Sequence, residues 1–255
     1  TQTLLPTGRT AIAIATGQSH TCAVLDDNSM VCWGDGNDGK LGTGNQTDQS
    51  IPSYVISSLK FNSVAAGVSH TCAITTDHNA YCWGNNGNYQ LGNEALWSNN
   101  YYFPQNVTLP LFRTVMGITV GSWSSCAILD DSSVYCWGND DYNQLNTAYN
   151  CDSGDYTNGC YDSSRRTPAE SIAPNGRSMI GLYRGSHHAC ALINNGGMYC
   201  FGYNGDGQVG NGSSLGQGPN YVSLPVGVTL TTNDRDSDHD GIFNNADRCL
   251  NGATG

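Results

Sequence analysis

The 255-residue chain has a formal net charge of −11, from ten Lys plus Arg against 21 Asp plus Glu, with only 12% of residues charged and 32 glycines. That balance is the wrong sign for gripping a phosphate backbone, no apolar run approaches the roughly 20 residues that span a bilayer, and the helix formers Lys and Glu occur twice each. Nucleic-acid binding, a transmembrane segment and a helical fold are therefore not expected; Tyr, Thr, Val, Asn, Asp, Gly and Ser favour strands joined by turns, an all-β chain.

The amino end, TQTLLPTGRTAIAIATG, shows neither an initiator Met nor a charged leader, so a processed chain or an excised piece is expected. Residues 1–10 read as a lead-in or closing strand, and from 11 to about 230 the sequence repeats. Four segments align: GQSHTCAVLDDNSMVCWG from Gly17, GVSHTCAITTDHNAYCWG from Gly67, GSWSSCAILDDSSVYCWG from Gly121 and GSHHACALINNGGMYCFG from Gly185. Each reads as a strand, a polar turn and a second strand, followed by a Gly/Asn-rich loop. The cysteines fall at Cys22/Cys32, Cys72/Cys82, Cys126/Cys136 and Cys190/Cys200. In an antiparallel register centred on residue 27, Cys22 stands opposite Cys32 with Cβ atoms about 4.5–5.5 Å apart, within reach of a cross-strand disulfide. The other three pairs repeat that geometry, and each bridge contributes roughly 2.5–3 kcal/mol by closing a loop of about ten residues. Eleven cysteines without zinc-knuckle spacing fit an oxidising, extracellular or cell-surface setting.

The strand-borne His-Thr-Cys-Ala, the closing Cys-Trp-Gly and the Gly-x-x-Gln-Leu-Gly turn at Gly87 to Gly92, echoed at Gly205 to Gly210, resemble the regulator of chromosome condensation repeat family, most of all its cysteine-bearing secreted members. The resemblance implies a propeller-like array with blades at about 11–60, 61–113, 114–178 and 179–230. The family's propellers close with seven blades, whereas four repeats are visible. A four-bladed ring, a piece of a longer chain, and an open arc whose sheet edges are covered by neighbouring copies all fit the sequence.

His20, His70 and His188 occupy equivalent positions, with Ser124 in the third repeat, and Trp33, Trp83 and Trp137 are followed by Phe201. A residue recurring once per blade is placed by architecture, whereas a catalytic histidine is normally unique and oriented by a carboxylate. Trp97 and Trp123 lie outside the register, so the clustered tryptophans required by the family's light-sensing branch are not expected. Asp26/Asp27 and Asp130/Asp131 sit at hairpin turns and, with Asp140/Asp141, make poor glycosidase pairs. No nucleophile elbow, HExxH, phosphate loop or dinucleotide fingerprint occurs, and no catalytic residue is assigned. In the third repeat the insertion NCDSGDYTNGCYDSSRR brings Cys151 and Cys160 into a pairable excursion, the place for a private recognition loop.

From Thr231 the composition changes. Asp236, Asp238, Asp240, Asn244 and Asp247 fall at positions 1, 3, 5, 9 and 12 of a calcium loop, with Gly241 at the sharp turn and the Ile242 carbonyl at position 7. This run, ending in Asp-x-Cys, resembles a thrombospondin type-three repeat from Asp234 to about Gly252, within a calcium-loop and linker segment at 231–255, which implies calcium as a bound ion. Cys249 has no evident partner and is expected to bond to a further stretch of chain or another protomer. Asn45, Asn106 and Asn211 are sequons open to glycosylation. The functional expectation is a non-enzymatic extracellular scaffold, a subunit of an appendage, matrix or filament that self-associates or joins neighbouring structural subunits. The alternative is a secreted recognition or inhibitor module binding a protein or glycan through blade loops; an active site hidden in a central channel ranks third.

Overall fold

A computed structural model describes residues 2–94, 99–147, 160–161, 164–173, 177–212 and 221–227. In the first sheet β1 (Ala11–Thr16), β2 (His20–Leu25), β3 (Met30–Gly34) and β4 (Gln49–Tyr54) are hydrogen-bonded in chain order. The second sheet repeats that order with β5 (Phe61–Ala66), β6 (His70–Thr75), β7 (Ala80–Gly84) and β8 (Tyr101–Asn106). The third runs β9 (Val115–Val120), β10 (Ser124–Leu129), β11 (Val134–Asn139), and then β12 (Cys160–Tyr161) lies outside β13 (Ser164–Glu170), which pairs with β11. The fourth contains β14 (Met179–Arg184), β15 (His188–Ile193), β16 (Met198–Tyr203) and β17 (Tyr221–Gly227).

The repeated hairpin follows from its turn chemistry. In the first repeat Asp27 Oδ1 accepts from the Ser29 backbone N–H at 3.1 Å and from the Ser29 hydroxyl at 2.6 Å, while Asn28 takes a left-handed φ of 62°. Asp131 and Ser133 repeat the pattern at 3.0 and 2.6 Å. A turn followed by one left-handed residue fixes the register of both strands. That register sets Cys22 opposite Cys32, Cys72 opposite Cys82, Cys126 opposite Cys136 and Cys190 opposite Cys200. All four pairs are disulfide-bonded, with Cα atoms 4.1 Å apart. After each Cys-Trp or Cys-Phe the chain bulges at a glycine: at Gly84 φ is +106°, and a Cβ would lie 2.6 Å from the Ser69 carbonyl oxygen. A side chain is excluded there by both conformation and space.

The hydrophobic core lies between sheets rather than within one. The face of the first sheet carrying Cys22, Val24, Met30, Cys32 and Leu41 packs on Phe61, Val64, Ala73 and Trp83 of the second. Cys72, Ile74, Ala80, Cys82 and Leu91 then pack on Val115, Ile118, Ala127, Leu129 and Trp137. Cys126, Val134, Cys136 and Leu145 meet Met179, Leu182, Ala191, Ile193 and Phe201. The second and third sheets are thus each buried on one face by the sheet before and on the other by the sheet after. The innermost strands β1, β5, β9 and β14 follow one another around an axis, but the four sheets are not closed into a ring, which removes the four-bladed ring from the alternatives.

Candidate functional site: the seams and the two end faces

The first two seams between sheets carry the same buried polar wiring. At the first, Thr71 donates its hydroxyl proton to the Lys40 carbonyl at 2.8 Å, so its oxygen is left to accept from His20 Nε2 at 2.8 Å. The Trp83 indole donates to the same carbonyl at 3.0 Å, filling its second lone pair. At the second, Ser125 donates to the Gln90 carbonyl at 2.9 Å and accepts from His70 Nε2 at 2.8 Å, while Trp137 donates to Gln90 O at 2.8 Å. The relay fixes both histidines as Nε2–H tautomers, and neither Nδ1 has a hydrogen-bond partner. Burial holds both rings neutral: His20 is pulled down to about 4 and His70 to about 3, first by desolvation and then by neighbouring cations and rings.

The carbonyl that receives this wiring is itself held by a buried side chain. Gln90 Nε2 donates to Asn85 Oδ1 at 2.9 Å and Gln144 to Asn139 at 2.6 Å. In the first repeat Lys40 replaces the glutamine and Asp35 the asparagine, joined at 2.6 Å. The hydrogen bond from Lys40 lowers the Asp35 carboxyl to about 2, against the opposing effect of burial.

The third seam is built differently. Ser124 stands where the histidine would, Ala189 where the hydroxyl would, and Arg184 fills the space from β14, donating to Ser124 Oγ and to Cys126 Sγ. The equivalents of Arg184 in the other repeats are Thr16, Ala66 and Val120. Desolvation pulls the guanidinium down to about 10, with Asp140 acting the other way, so it remains a cation at neutral pH. Around the axis, the glycine-led turns at Gly17, Gly67, Gly121 and Gly185 line a cavity of 260 Å³ that Arg184 also borders. Their spacing is set by contact: a Cβ on Gly67 would lie 2.6 Å from Gly121 O, and one on Gly121 would lie 2.9 Å from Gly185 O.

Among the described residues no sheet packs on the outer faces of the first and fourth sheets. Trp33 and Thr21 are half-buried, whereas Trp83, Trp137, Thr71 and Ser125 are fully buried, and Ile14 is 64% exposed. On the fourth sheet His188 is half-buried, and Leu192 and Met198 are 37% and 41% exposed, against 0% and 2% for Val24 and Met30 in the first repeat.

His20, His70, Trp83 and Trp137 therefore hold seams together. Asp26 and Asp27 pair with Arg9, and Asp130 and Asp131 with Arg113, at their hairpin turns. Asp140 Oδ1 accepts from the Leu145 N–H. Asn45 and Asn106 are exposed and Asn211 half-buried. Cys151, Cys249 and the calcium-loop residues Asp236 to Asp247 lie outside the described residues, and Cys160 pairs with Arg165 across the β12–β13 ladder. Among the described residues no three His, Cys, Asp or Glu side chains group as metal ligands, and no helix is long and apolar enough to cross a membrane.

Sequence reasoning missed Arg184, the Lys40–Asp35 exchange and Leu5. The signals were there: Ser124 breaks the histidine series, and LPTGRT at 5–10 parallels LPLFRT at 109–114. Leu5 packs on Ala23, Leu25 and Val31 of the first sheet, while Leu109 packs against the core between the second and third. Trp123, Tyr142, His187 and Tyr203 also meet edge-to-face, with centroids 5.1–5.2 Å apart.

Two models of the regulator of chromosome condensation (RCC1) repeat match this chain, one at residues 27–74 and 77–128, the other at 11–40, 61–90 and 117–144. Together they span residues 11–144, just over half of the chain. The ultraviolet-B receptor UVR8 of Arabidopsis thaliana is 26% identical over 204 residues, 79% of this chain and 43% of its own length. The human E3 ubiquitin-protein ligase HERC2 is 25% identical over 203 residues, 80% of this chain and 3% of the ligase. The chain thus spans less than half the length of these relatives. Among solved structures, Saccharomyces cerevisiae Prp20p matches with a TM-score of 0.76 at 21% identity, covering 91% of this chain and 53% of Prp20p. Human WBSCR16 matches at 0.71 and 19%, covering 89% and 55%.

Proposed function

The chain belongs to the regulator of chromosome condensation (RCC1) repeat family, and on that basis we propose that it is a non-enzymatic, protein-binding scaffold working outside the cell. The observation that carries this reading is the set of four intra-hairpin disulfides, of which Cys22–Cys32, Cys72–Cys82 and Cys126–Cys136 are wholly buried. Such bridges persist in oxidising compartments and are rare where glutathione keeps thiols reduced. The recurring His20 and His70 spend their hydrogen bonds on the seams. A yeast RCC1 structure has been solved bound to Kap60, a precedent for a protein partner of an RCC1 protein. Residues 231–255 add a thrombospondin type-three-like calcium loop, with Asp236, Asp238, Asp240, Asn244 and Asp247 as ligands, suited to millimolar extracellular calcium. Thiol counting by mass spectrometry on freshly isolated material, with and without reduction, tests the reading: eight protected cysteines in the four hairpins are expected, and eight free ones refute it. Calcium titration of the whole chain against D238N tests the loop.

A second reading, a recognition module, is favoured by the Trp123–Tyr142–His187–Tyr203 cluster and by β12, which ties the excursion from residue 148 to the edge of the third sheet. Trp123→Ala leaves partner capture unchanged if that reading is wrong.

A further inference from the structure

Four side chains depart from the repeat pattern at one place. Ser19, Ser69, Trp123 and His187 are structurally equivalent, because the carbonyl of each accepts at 2.9 Å from the backbone N–H of Asp35, Asn85, Asn139 and Tyr203 in turn. Asn88, Tyr142 and Asp206 are equivalent too: each donates its N–H at 2.8–2.9 Å to the side-chain oxygen of Gln90, Gln144 or Gln208. The first two repeats build these loops with Ser, Asp and Asn, whereas the third and fourth place Trp123, Tyr142, His187 and Tyr203 there. The shared backbone bonds hold the loops in every repeat, so loop architecture does not require the rings.

Nor are they buried as the seam indoles are. Trp83 and Trp137 are fully buried, whereas Trp123 is 38% exposed and Tyr142, His187 and Tyr203 are half-buried. Two rings come from the third repeat and two from the fourth, so the platform straddles the third seam, each ring meeting the next edge to face. Asp141 is exposed beside it, and burial keeps the His187 imidazole neutral against the pull of that carboxylate. The charge around the platform is one-sided. Asp48, Asp141 and Asp206 are exposed on the loops at this end of the strands. Among the described residues every exposed Lys or Arg lies at the other end: Arg9 and Arg113 on the hairpin-turn acids, Lys60 on the Asp27 carbonyl, and Arg177 just before β14.

We infer that this platform seats a basic segment of a partner protein, with an arginine or lysine side chain lying on the Trp123 and Tyr142 rings and its charge turned to Asp141. Aromatic faces carry negative potential and attract cations, the indole most strongly, and a carboxylate alongside adds a charged acceptor. The acidic loops bring such a segment in and disfavour an acidic one. Because the backbone under all four rings is already fixed, little ordering is left to oppose binding. The inference rests on the recognition-module reading and names its ligand.

The test titrates the whole chain into a fluorescein-labelled glycine–arginine repeat peptide at about 150 mM salt, where long-range attraction is screened, and follows anisotropy. The same peptide with citrulline for arginine keeps the shape and loses the charge, and should bind about tenfold more weakly or worse. W123S restores the serine of the first two repeats and should weaken arginine-peptide binding about fivefold to tenfold; Y142N, the residue of the second repeat, gives an independent loss of similar size. D141N should cost about fivefold, whereas D48N, which removes an equal charge on the same side and keeps an acceptor for the Gly36 N–H, should cost less than about twofold. Thermal melts verify folding. Arginine-peptide binding unchanged in W123S and Y142N overturns the inference, and so does a D48N loss equal to that of D141N. Lowered stability in W123S with binding intact assigns the rings to bracing the seam and also overturns it. Maltohexaose bound more tightly than the arginine peptide, and lost in W123S, overturns the basic ligand while the recognition reading stands. Failure of both probes, with partner capture unchanged in Trp123→Ala, sinks the two together.

Discussion

Acidification from pH 7.5 to 5 reads out the seam histidines directly. His20 and His70 are buried, donate through Nε2 to a hydroxyl that is already committed, and have no acceptor at Nδ1. A second proton would have to sit unpaired in the core. Their folded pKa values of about 4 and about 3 lie below the ordinary 6.5, so the unfolded chain takes up protons first. Stability is therefore complete above about pH 7 and is lost as pH falls through 6.5 towards the folded values, with a limiting slope of about 1.4 kcal/mol per pH unit per histidine. Between pH 7.5 and 5 the two sites together remove about 4 kcal/mol, a large share of the roughly 5–15 kcal/mol typical of a folded domain. His187 and His188 are shifted down by burial as well and act in the same direction. The carboxylate of Asp35, lowered to about 2, loses its contribution only below about pH 4, outside this window. Urea unfolding with disulfides intact, followed by Trp83 and Trp137 fluorescence, measures the slope, and H70Q should flatten it by about half. A flat profile from pH 7.5 to 5 in the wild type would refute the assignment of these rings as neutral, buried donors.

Trp137→Phe removes the indole donor to Gln90 O and leaves a void, so a loss of about 1–3 kcal/mol is expected, while Trp33→Phe, at a half-buried position, costs less than about 1 kcal/mol. Paired urea titrations compare them. At the third seam, Arg184→Thr and Ser124→His are each destabilising, but combined with Ala189→Thr they restore the histidine–hydroxyl–carbonyl relay of the first seam, without its indole donor. The triple variant should be more stable than the sum of single changes predicts by about 1–2 kcal/mol, and strict additivity would sink the argument. Gly67→Ala drives a methyl against Gly121 O and the His70 ring and should cost about 2 kcal/mol or more, whereas at Gly117 the methyl meets only Ile128 at ordinary distance and alanine should be neutral within about 0.5 kcal/mol. Thermal melts decide it.

The hairpin was legible because its determinants are local: an Asp-x-Ser turn and a ten-residue cysteine spacing set the strand pairing before any tertiary contact forms. The seams were half legible. Recurrence marked the histidines and tryptophans as architectural, but their partners, Thr71, Ser125 and the carbonyls of Lys40 and Gln90, lie 43 to 55 residues away and carry no local pattern. Arg184 was illegible for a related reason. It compensates a missing residue in the preceding sheet, and a lone arginine on an apolar strand reads as an edge charge until the gap at Ser124 is seen beside it. The Lys40–Asp35 exchange required aligning the loop after each hairpin as closely as the hairpin itself.

Each of the four bridges closes a ribbon on itself and ties no sheet to its neighbour. Under mechanical load the molecule would therefore fail between modules rather than within them. A pull on the ends first parts a histidine–hydroxyl contact and peels one ribbon from the stack, and the locked segment between its cysteines cannot lengthen further. Extension would proceed in steps, each shortened by the crosslinked span, and an oxidised module set free could click back onto the stack with its strand register already in place.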